Sequence, residues 1–159
     1  EDISGAYHQE AVVQVNENLI ASVPIFREAN RDFVHAIIMN LRQQLYLPGD
    51  YVIKYGELGD EMYFVVRGTV QAMDENETTV YTVLSEGNFF GEIALLKTCK
   101  RTATVRSYTY SQLNCLYKVD FERILDMFPE AANLLEHEAK LRERNSKNVD
   151  AMKAKENQK

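Results

Sequence analysis

Between residues 42 and 118 the sequence alternates short stretches rich in Val, Tyr, Phe, Leu and Thr with clusters of turn-forming residues. This rhythm constrains the fold more than any other feature. The stretches are Arg42–Leu47, Tyr51–Tyr55, Glu61–Arg67, Thr69–Asp74, Thr78–Leu84, Ala103–Tyr108 and Gln112–Lys118. Between them stand Pro48-Gly49-Asp50, Gly56-Glu57-Leu58-Gly59-Asp60, Arg67-Gly68, Asp74-Glu75-Asn76-Glu77 and Ser85-Glu86-Gly87-Asn88, where Gly, Pro, Asn and Asp supply the backbone angles of tight turns. Connections this short cannot carry the crossovers of a parallel sheet. The pattern therefore predicts an antiparallel roll or sandwich of seven short strands.

Helical spacing brackets this block. Val12, Val15, Leu19, Ile20 and Val23 form one apolar stripe, which Pro24 stops. Phe33, Val34, Ile37, Ile38 and Leu41 predict a second helix. After the strands, Asp120 is expected to be an N-cap, with Phe121, Ile124, Leu125 and Phe128 on one helical face. Pro129 suits the first turn of a further helix, whose apolar side carries Ala131, Ala132, Leu134, Leu135, Ala139 and Leu141. Beyond Leu141 the chain is almost wholly polar and is expected to fray. The fold class is α+β: helices over residues 1–40, a β-roll over 41–118, and two C-terminal helices with a polar tail over 119–159.

Composition narrows the function. Eighteen Lys and Arg against 24 Asp and Glu give a net charge of −6, the wrong sign for a duplex nucleic-acid binder. No apolar run approaches the ~18–20 residues of a membrane helix, so no direct membrane contact is expected. The start, Glu1-Asp2-Ile3-Ser4, has neither an initiator Met nor a signal-peptide pattern and reads as a piece of something larger. Cys99 and Cys115 are too few for a disulfide scaffold and lack metal-ligand spacing; Cys99 reads as a bystander beside a basic loop. His8, His35 and His137 are far apart, and the Gly-x-Ser-x-Gly and Gly-Lys-Ser/Thr motifs are missing from the sequence. The acidic residues Glu57, Asp60 and Glu61 lie around a Gly-rich turn and read as solvated loop charges. No metal, cofactor or catalytic group is expected.

One interval breaks the β rhythm. From Phe90 to Arg101 a short helical turn and a loop are predicted, and such an interruption is where a site is expected. Gly91 permits close backbone approach, and Glu92 opens a short helix whose first amides would favour an anion. Within Lys97–Arg106 stand four basic residues and no acidic one. Arg101 can fork onto two phosphate oxygens, and Thr102 adds a hydroxyl. A carboxylate and a guanidinium nine positions apart would serve a ligand with a hydroxyl at one end and a phosphate at the other. The competing reading is a surface ion pair between Glu92 and Arg101.

Phe90-Gly91-Glu92-Ile93-Ala94-Leu95-Leu96 followed by Arg101-Thr102-Ala103-Thr104-Val105-Arg106 resembles the phosphate-binding cassette of cyclic nucleotide-binding domains. Leu41-Arg42-Gln43-Gln44-Leu45-Tyr46-Leu47-Pro48-Gly49-Asp50-Tyr51-Val52, Gly59-Asp60-Glu61-Met62-Tyr63-Phe64 and Thr109-Tyr110-Ser111-Gln112-Leu113 are similar to the cyclic nucleotide-gated and hyperpolarization-activated cation channels. The resemblance covers roughly residues 10–145. It implies a β-roll holding cAMP or cGMP. Glu92 would bind the ribose 2′-hydroxyl, with backbone contacts from Gly91, Ile93 and Ala94. Arg101 would pair with the cyclic phosphate, with Thr102 and Ala103 beside it, and Thr102 in the family also helps accommodate guanine. Leu84 and Ala72 would line the purine, and Arg142 falls where the channels place a base-contacting Arg.

Ser146, with Asn145 beside it, stands where some cGMP-preferring channels carry an acidic residue, which argues against strong cGMP selectivity. The implied partner is the transmembrane part of a channel, a tetramer at the plasma membrane with this domain in the cytoplasm. Three other readings differ in class. A kinase regulatory domain would be expected to carry an Arg-Arg-x-Ser inhibitor segment. A catabolite-activator-like transcription factor would need more than the 18 residues after Leu141 for a helix-turn-helix. A degenerate domain that binds nothing would not need both Glu92 and Arg101.

Overall fold

The computed structural model describes residues 20, 21, 23, 26, 29–134, 136 and 137. The expected stripe residues Val12, Val15 and Leu19, and Leu135, Ala139, Leu141, Arg142, Asn145 and Ser146 at the other end, lie outside the described residues.

Helix α1 (Arg31–Met39) starts where the Asn30 side chain accepts the Asp32 amide at 2.7 Å. It buries Phe33, Ile37 and Ile38. Among the described residues ten antiparallel strands follow: β1 (Arg42–Tyr46), β2 (Tyr51–Ile53), β3 (Leu58–Gly59), β4 (Glu61–Arg67), β5 (Thr69–Met73), β6 (Val80–Ser85), β7 (Phe89–Phe90), β8 (Cys99–Lys100), β9 (Thr104–Ser107) and β10 (Ser111–Tyr117). A short helix, α2 (Ile93–Leu96), interrupts them, and α3 (Lys118–Met127) closes the roll. A further helical segment covers 129–134.

Two four-stranded sheets make the roll, ordered β1-β10-β4-β7 and β2-β9-β5-β6, with β3-β8 as a small third sheet. The seven expected strands are present with ends shifted by at most two residues, and β4 is unshifted. The three additional ones, β3, β7 and β8, are two residues long, too short to leave an alternation in the sequence.

The central strands of the first sheet, β4 and β10, are buried on both faces. Met62, Phe64 and Leu116 face a helical core with Ile20, Val23, Phe26, Phe33, Ile37, Phe121, Ile124 and Ala131. Tyr63, Val65, Leu113 and Cys115 face the roll interior with Val70, Ala72, Phe90 and Val105. This follows from the two-residue period of a strand. Phe26, Phe33 and Phe121 meet at centroid distances of 6.0–6.4 Å, which fixes the helices against β4 and β10.

One expectation at the C-terminal side is corrected. Asp120 is not the N-cap: α3 begins two residues earlier, capped by Tyr117 without a side-chain bond, and the Lys118 amide donates to the Asp60 carbonyl at 2.7 Å. Asp120 lies instead in the first turn, where an acidic group suits the helix dipole, 6% exposed and paired with Arg42 and Arg123. Leu134, on the expected apolar side of the next helical segment, is 46% exposed.

Candidate functional site

The interruption between β7 and β9 builds one wall of a cavity of about 360 Å³. Gly91, Glu92, Ile93, Ala94, Arg101, Thr102 and Ala103 all line it. Ala72 on β5 and Leu84 on β6 line it from the sheet. Nine of the ten residues singled out in the sequence therefore share one cavity, while Arg142 lies outside the described residues.

The walls differ in chemistry. The sheet contributes Ile53, Ala72, Leu84 and Val105, with the hydroxyl of Thr82 among them. Thr82 pairs in register with Ala72 and lies two positions from Leu84, so all three face the same way. The cassette contributes Glu92, Lys100, Arg101 and Thr102. An apolar slot beside a cationic wall accepts a flat heterocycle attached to an anion. Ile53, Thr82, Phe89, Phe90, Cys99, Lys100 and Val105 also line the cavity, although sequence reasoning assigned none of them a ligand contact. Alternation along β6 was the signal that could have placed Thr82 with Leu84.

Arg101 is the centre of the site, and it is 7% exposed. Its main chain is held by the turn between β2 and β3: the Arg101 amide donates to the Glu57 carbonyl and the Gly56 amide donates to the Arg101 carbonyl, both at 2.8 Å. Its Nη2 donates to the Glu61 carbonyl at 2.7 Å and to Glu61 Oε1 at 3.2 Å. Two glycines make room for the guanidinium. A Cβ on Gly59 would come within 2.5 Å of Arg101 Cζ, and one on Gly91 within 2.8 Å of Nη1. Gly91 also has φ +81°, a conformation that side chains rarely adopt.

These contacts decide against the competing surface pair and correct two expectations. Arg101 is buried and engaged by Glu61, so it is not half of a surface pair with Glu92. Glu61 is not a solvated loop charge: it opens β4 on the inward face, its side chain is 19% exposed, and its Oε1 accepts the Tyr63 hydroxyl at 3.0 Å. The amides after Glu92 are partly used within the turn, since Ala94 donates to Gly91 at 3.2 Å and Leu95 to Glu92 at 3.1 Å.

The basic cluster also divides. Lys100 and Arg101 line the cavity, and Lys97 is exposed. Arg106 turns to the outer surface, where it pairs with Glu77 at 2.9 Å, donates to the Gly49 carbonyl and lies 4.5 Å from the Tyr51 ring centroid.

Burial dominates the electrostatics of the roll interior. It pushes the Cys115 thiol and the Tyr46 hydroxyl each up to about 12, and raises the Tyr63 hydroxyl further. Burial, reinforced by Asp60, also lifts the Glu61 carboxyl above the ordinary carboxylate range, against the opposing pull of Tyr63 and Arg101. Among the described residues no group of His, Cys, Asp and Glu could hold a metal ion, and no helix is long and apolar enough to cross a membrane.

The family model described as "Cyclic nucleotide-binding domain" matches residues 43–128. The chain is 36% identical over 128 residues to potassium/sodium hyperpolarization-activated cyclic nucleotide-gated channel 2 of Mus musculus, covering 80% of this chain and 15% of that protein. It is also 36% identical over 132 residues to a cyclic nucleotide-gated cation channel protein of Drosophila melanogaster, covering 79% of this chain and 20% of that one. The chain thus spans a fifth or less of these two relatives. Among solved structures, the N-terminal domain of a transcriptional regulator from Streptomyces coelicolor A3(2) superposes with a TM-score of 0.74 at 22% identity, covering 83% of this chain and 94% of that one. That likeness establishes the fold.

Proposed function

Because the chain belongs to the cyclic nucleotide-binding domain family, we propose that it is a regulatory module that binds cAMP or cGMP and couples binding to the gating of a cation channel. The observation that carries this reading is Arg101, a buried guanidinium in the wall of the cavity that Glu92 also lines. A buried cation beside an apolar slot is costly unless an anion or a fixed dipole compensates it. Arg101 would pair with the cyclic phosphate and Glu92 with the ribose 2′-hydroxyl. Gly91, Ile93 and Ala94 would bring the backbone close, with Thr102 and Ala103 beside the phosphate. Ala72 and Leu84 would line the purine, and Arg142 would contact it from the C-terminal helix.

A binding module does work only through the difference in ligand affinity between two states. Ala94 and Leu95 offer a mechanical route. Ala94 lines the cavity, while Leu95 is 2% exposed in the helical core with Phe33, Phe121 and Ile124. A ligand that moves α2 therefore moves a side chain packed among the helices. The segment from Pro129 to about Arg144 would fold over the base, with the exposed Leu134 contributing to its apolar underside. The N-terminal helices would pass the movement to a transmembrane gate. In the whole protein this would be a cytoplasmic domain of a plasma-membrane channel, assembled as a tetramer.

Calorimetric titration of the chain with cAMP and with cGMP tests the reading. Saturable one-to-one binding of either nucleotide supports it. Binding of neither sinks it and favours a domain that keeps the fold without the ligand.

A further inference from the structure

Arg101 already has a counter-ion, and its two contacts with Glu61 differ in kind. The Glu61 carbonyl, 2.7 Å from Nη2, positions the guanidinium without carrying a net charge. The Glu61 carboxylate, 3.2 Å from the same nitrogen, offsets the positive charge that an anion in the cavity would meet. The Tyr63 hydroxyl donates to the same carboxylate oxygen at 3.0 Å. The Arg101 and Glu61 side chains are only 6% and 19% exposed, so water screens the pair weakly.

We propose that Glu61 sets the affinity of the site: its carboxylate competes with the phosphodiester of the ligand for Arg101, and holds binding weaker than Arg101 on its carbonyl anchor would give. This rests on the reading of the cavity as a cyclic nucleotide site. Glu61 is then a tuning residue that acts through Arg101, without touching the ligand.

The charge on Glu61 makes this tuning pH-dependent. The titratable groups around it are Asp60 and Tyr63 on its own segment, Tyr46 from β1, Cys115 and Tyr117 from β10, and Arg101 from the cassette. Burial raises Tyr46, Tyr63, Tyr117 and Cys115, which keeps them neutral at neutral pH. The charges that matter are therefore those of Glu61, Asp60 and Arg101. An anion placed on Arg101 disfavours an ionised Glu61 beside it, so binding is accompanied by proton uptake on Glu61. Nucleotide affinity accordingly rises as pH falls through the titration of this raised carboxyl.

The test is calorimetric titration with cAMP and cGMP of the wild-type chain and Glu61→Gln, from neutral to mildly acid pH. Gln keeps an oxygen for Tyr63 and Arg101 but loses the charge. The expected result is tighter binding by Glu61→Gln at neutral pH, on the order of three- to ten-fold, with a pH dependence flatter than that of wild type. Unchanged or weaker binding by a folded Glu61→Gln overturns the proposal, as does a wild-type affinity that stays flat on acidification, a readout that stands even if the variant fails to fold. Either result with nucleotide still bound leaves the functional reading intact. Absence of binding by the wild-type chain overturns that reading and this proposal together.

Discussion

Ala94 and Leu95 are neighbours in the chain but sit in different places: Ala94 lines the cavity and Leu95 is buried in the helical core. The four-residue helix α2 thus joins the candidate site to the elements outside the roll. Leu95→Ala should lower stability by about 2–5 kcal/mol, the usual cost of emptying a packed leucine site. Urea unfolding measures this; a loss below about 0.5 kcal/mol, the level of a surface substitution, would show that Leu95 does not tie α2 to the helices.

Gly59 and Gly91 make room for Arg101, and each should be intolerant of a methyl group. In Gly59→Ala the new Cβ collides with the guanidinium, so nucleotide affinity should fall by roughly ten-fold or more while the fold persists. In Gly91→Ala the positive φ adds backbone strain of about 1 kcal/mol or more, so the melting temperature should fall as well. Paired melts and titrations separate the two effects. Equal behaviour of both variants would contradict the assignment of separate roles.

The two thiols should react differently. Cys115 is fully buried and its thiol is pushed up to about 12, so it should resist alkylation in the folded chain. Cys99 is half-buried in the cavity wall and should react first, with cyclic nucleotide slowing its modification. Mass-spectrometric labelling with and without cAMP reads this. Rapid native labelling of Cys115 would contradict the packing described above.

Acid should loosen the β5–β6 turn. The Glu77 carboxyl is held below its ordinary range by the hydrogen bond from Tyr51, then by Arg106. A depressed folded-state value gives stability that is present above the unfolded value and is lost as pH falls through the folded one. Wild-type melting temperature should therefore drop as pH falls through and below the ordinary carboxylate range, and Glu77→Gln should show a smaller drop. Identical acid profiles would show that the surface pair contributes nothing measurable.

What was legible in the sequence followed from local chemistry. Strand β4 matches its expected bounds, Glu61–Arg67, because the continuous apolar run Met62–Val66 stands between Gly59-Asp60 and Arg67-Gly68. Ala72 and Leu84 are pointed to by the resemblance to cyclic nucleotide-binding domains and not by local spacing, and both line the cavity with the cassette residues. Tertiary contacts hid the rest. Asp120 resembles an N-cap, but the Asp60 carbonyl takes the Lys118 amide and the helix starts earlier. Glu61 stands beside a Gly-Asp turn and looks solvated, yet Arg101, forty positions away, reaches back to it. Arg106 carries the same charge as Arg101, but one strand later it points to the opposite surface.

The central claim is that Arg101 receives the phosphate of a cyclic nucleotide. Calorimetric titration of Arg101→Ala against the wild-type chain tests it most directly. Losing a buried charge partner should weaken cAMP and cGMP binding by roughly 30-fold or more, about 2 kcal/mol, with the chain still folded. A folded Arg101→Ala that binds either nucleotide as tightly as wild type would contradict the account.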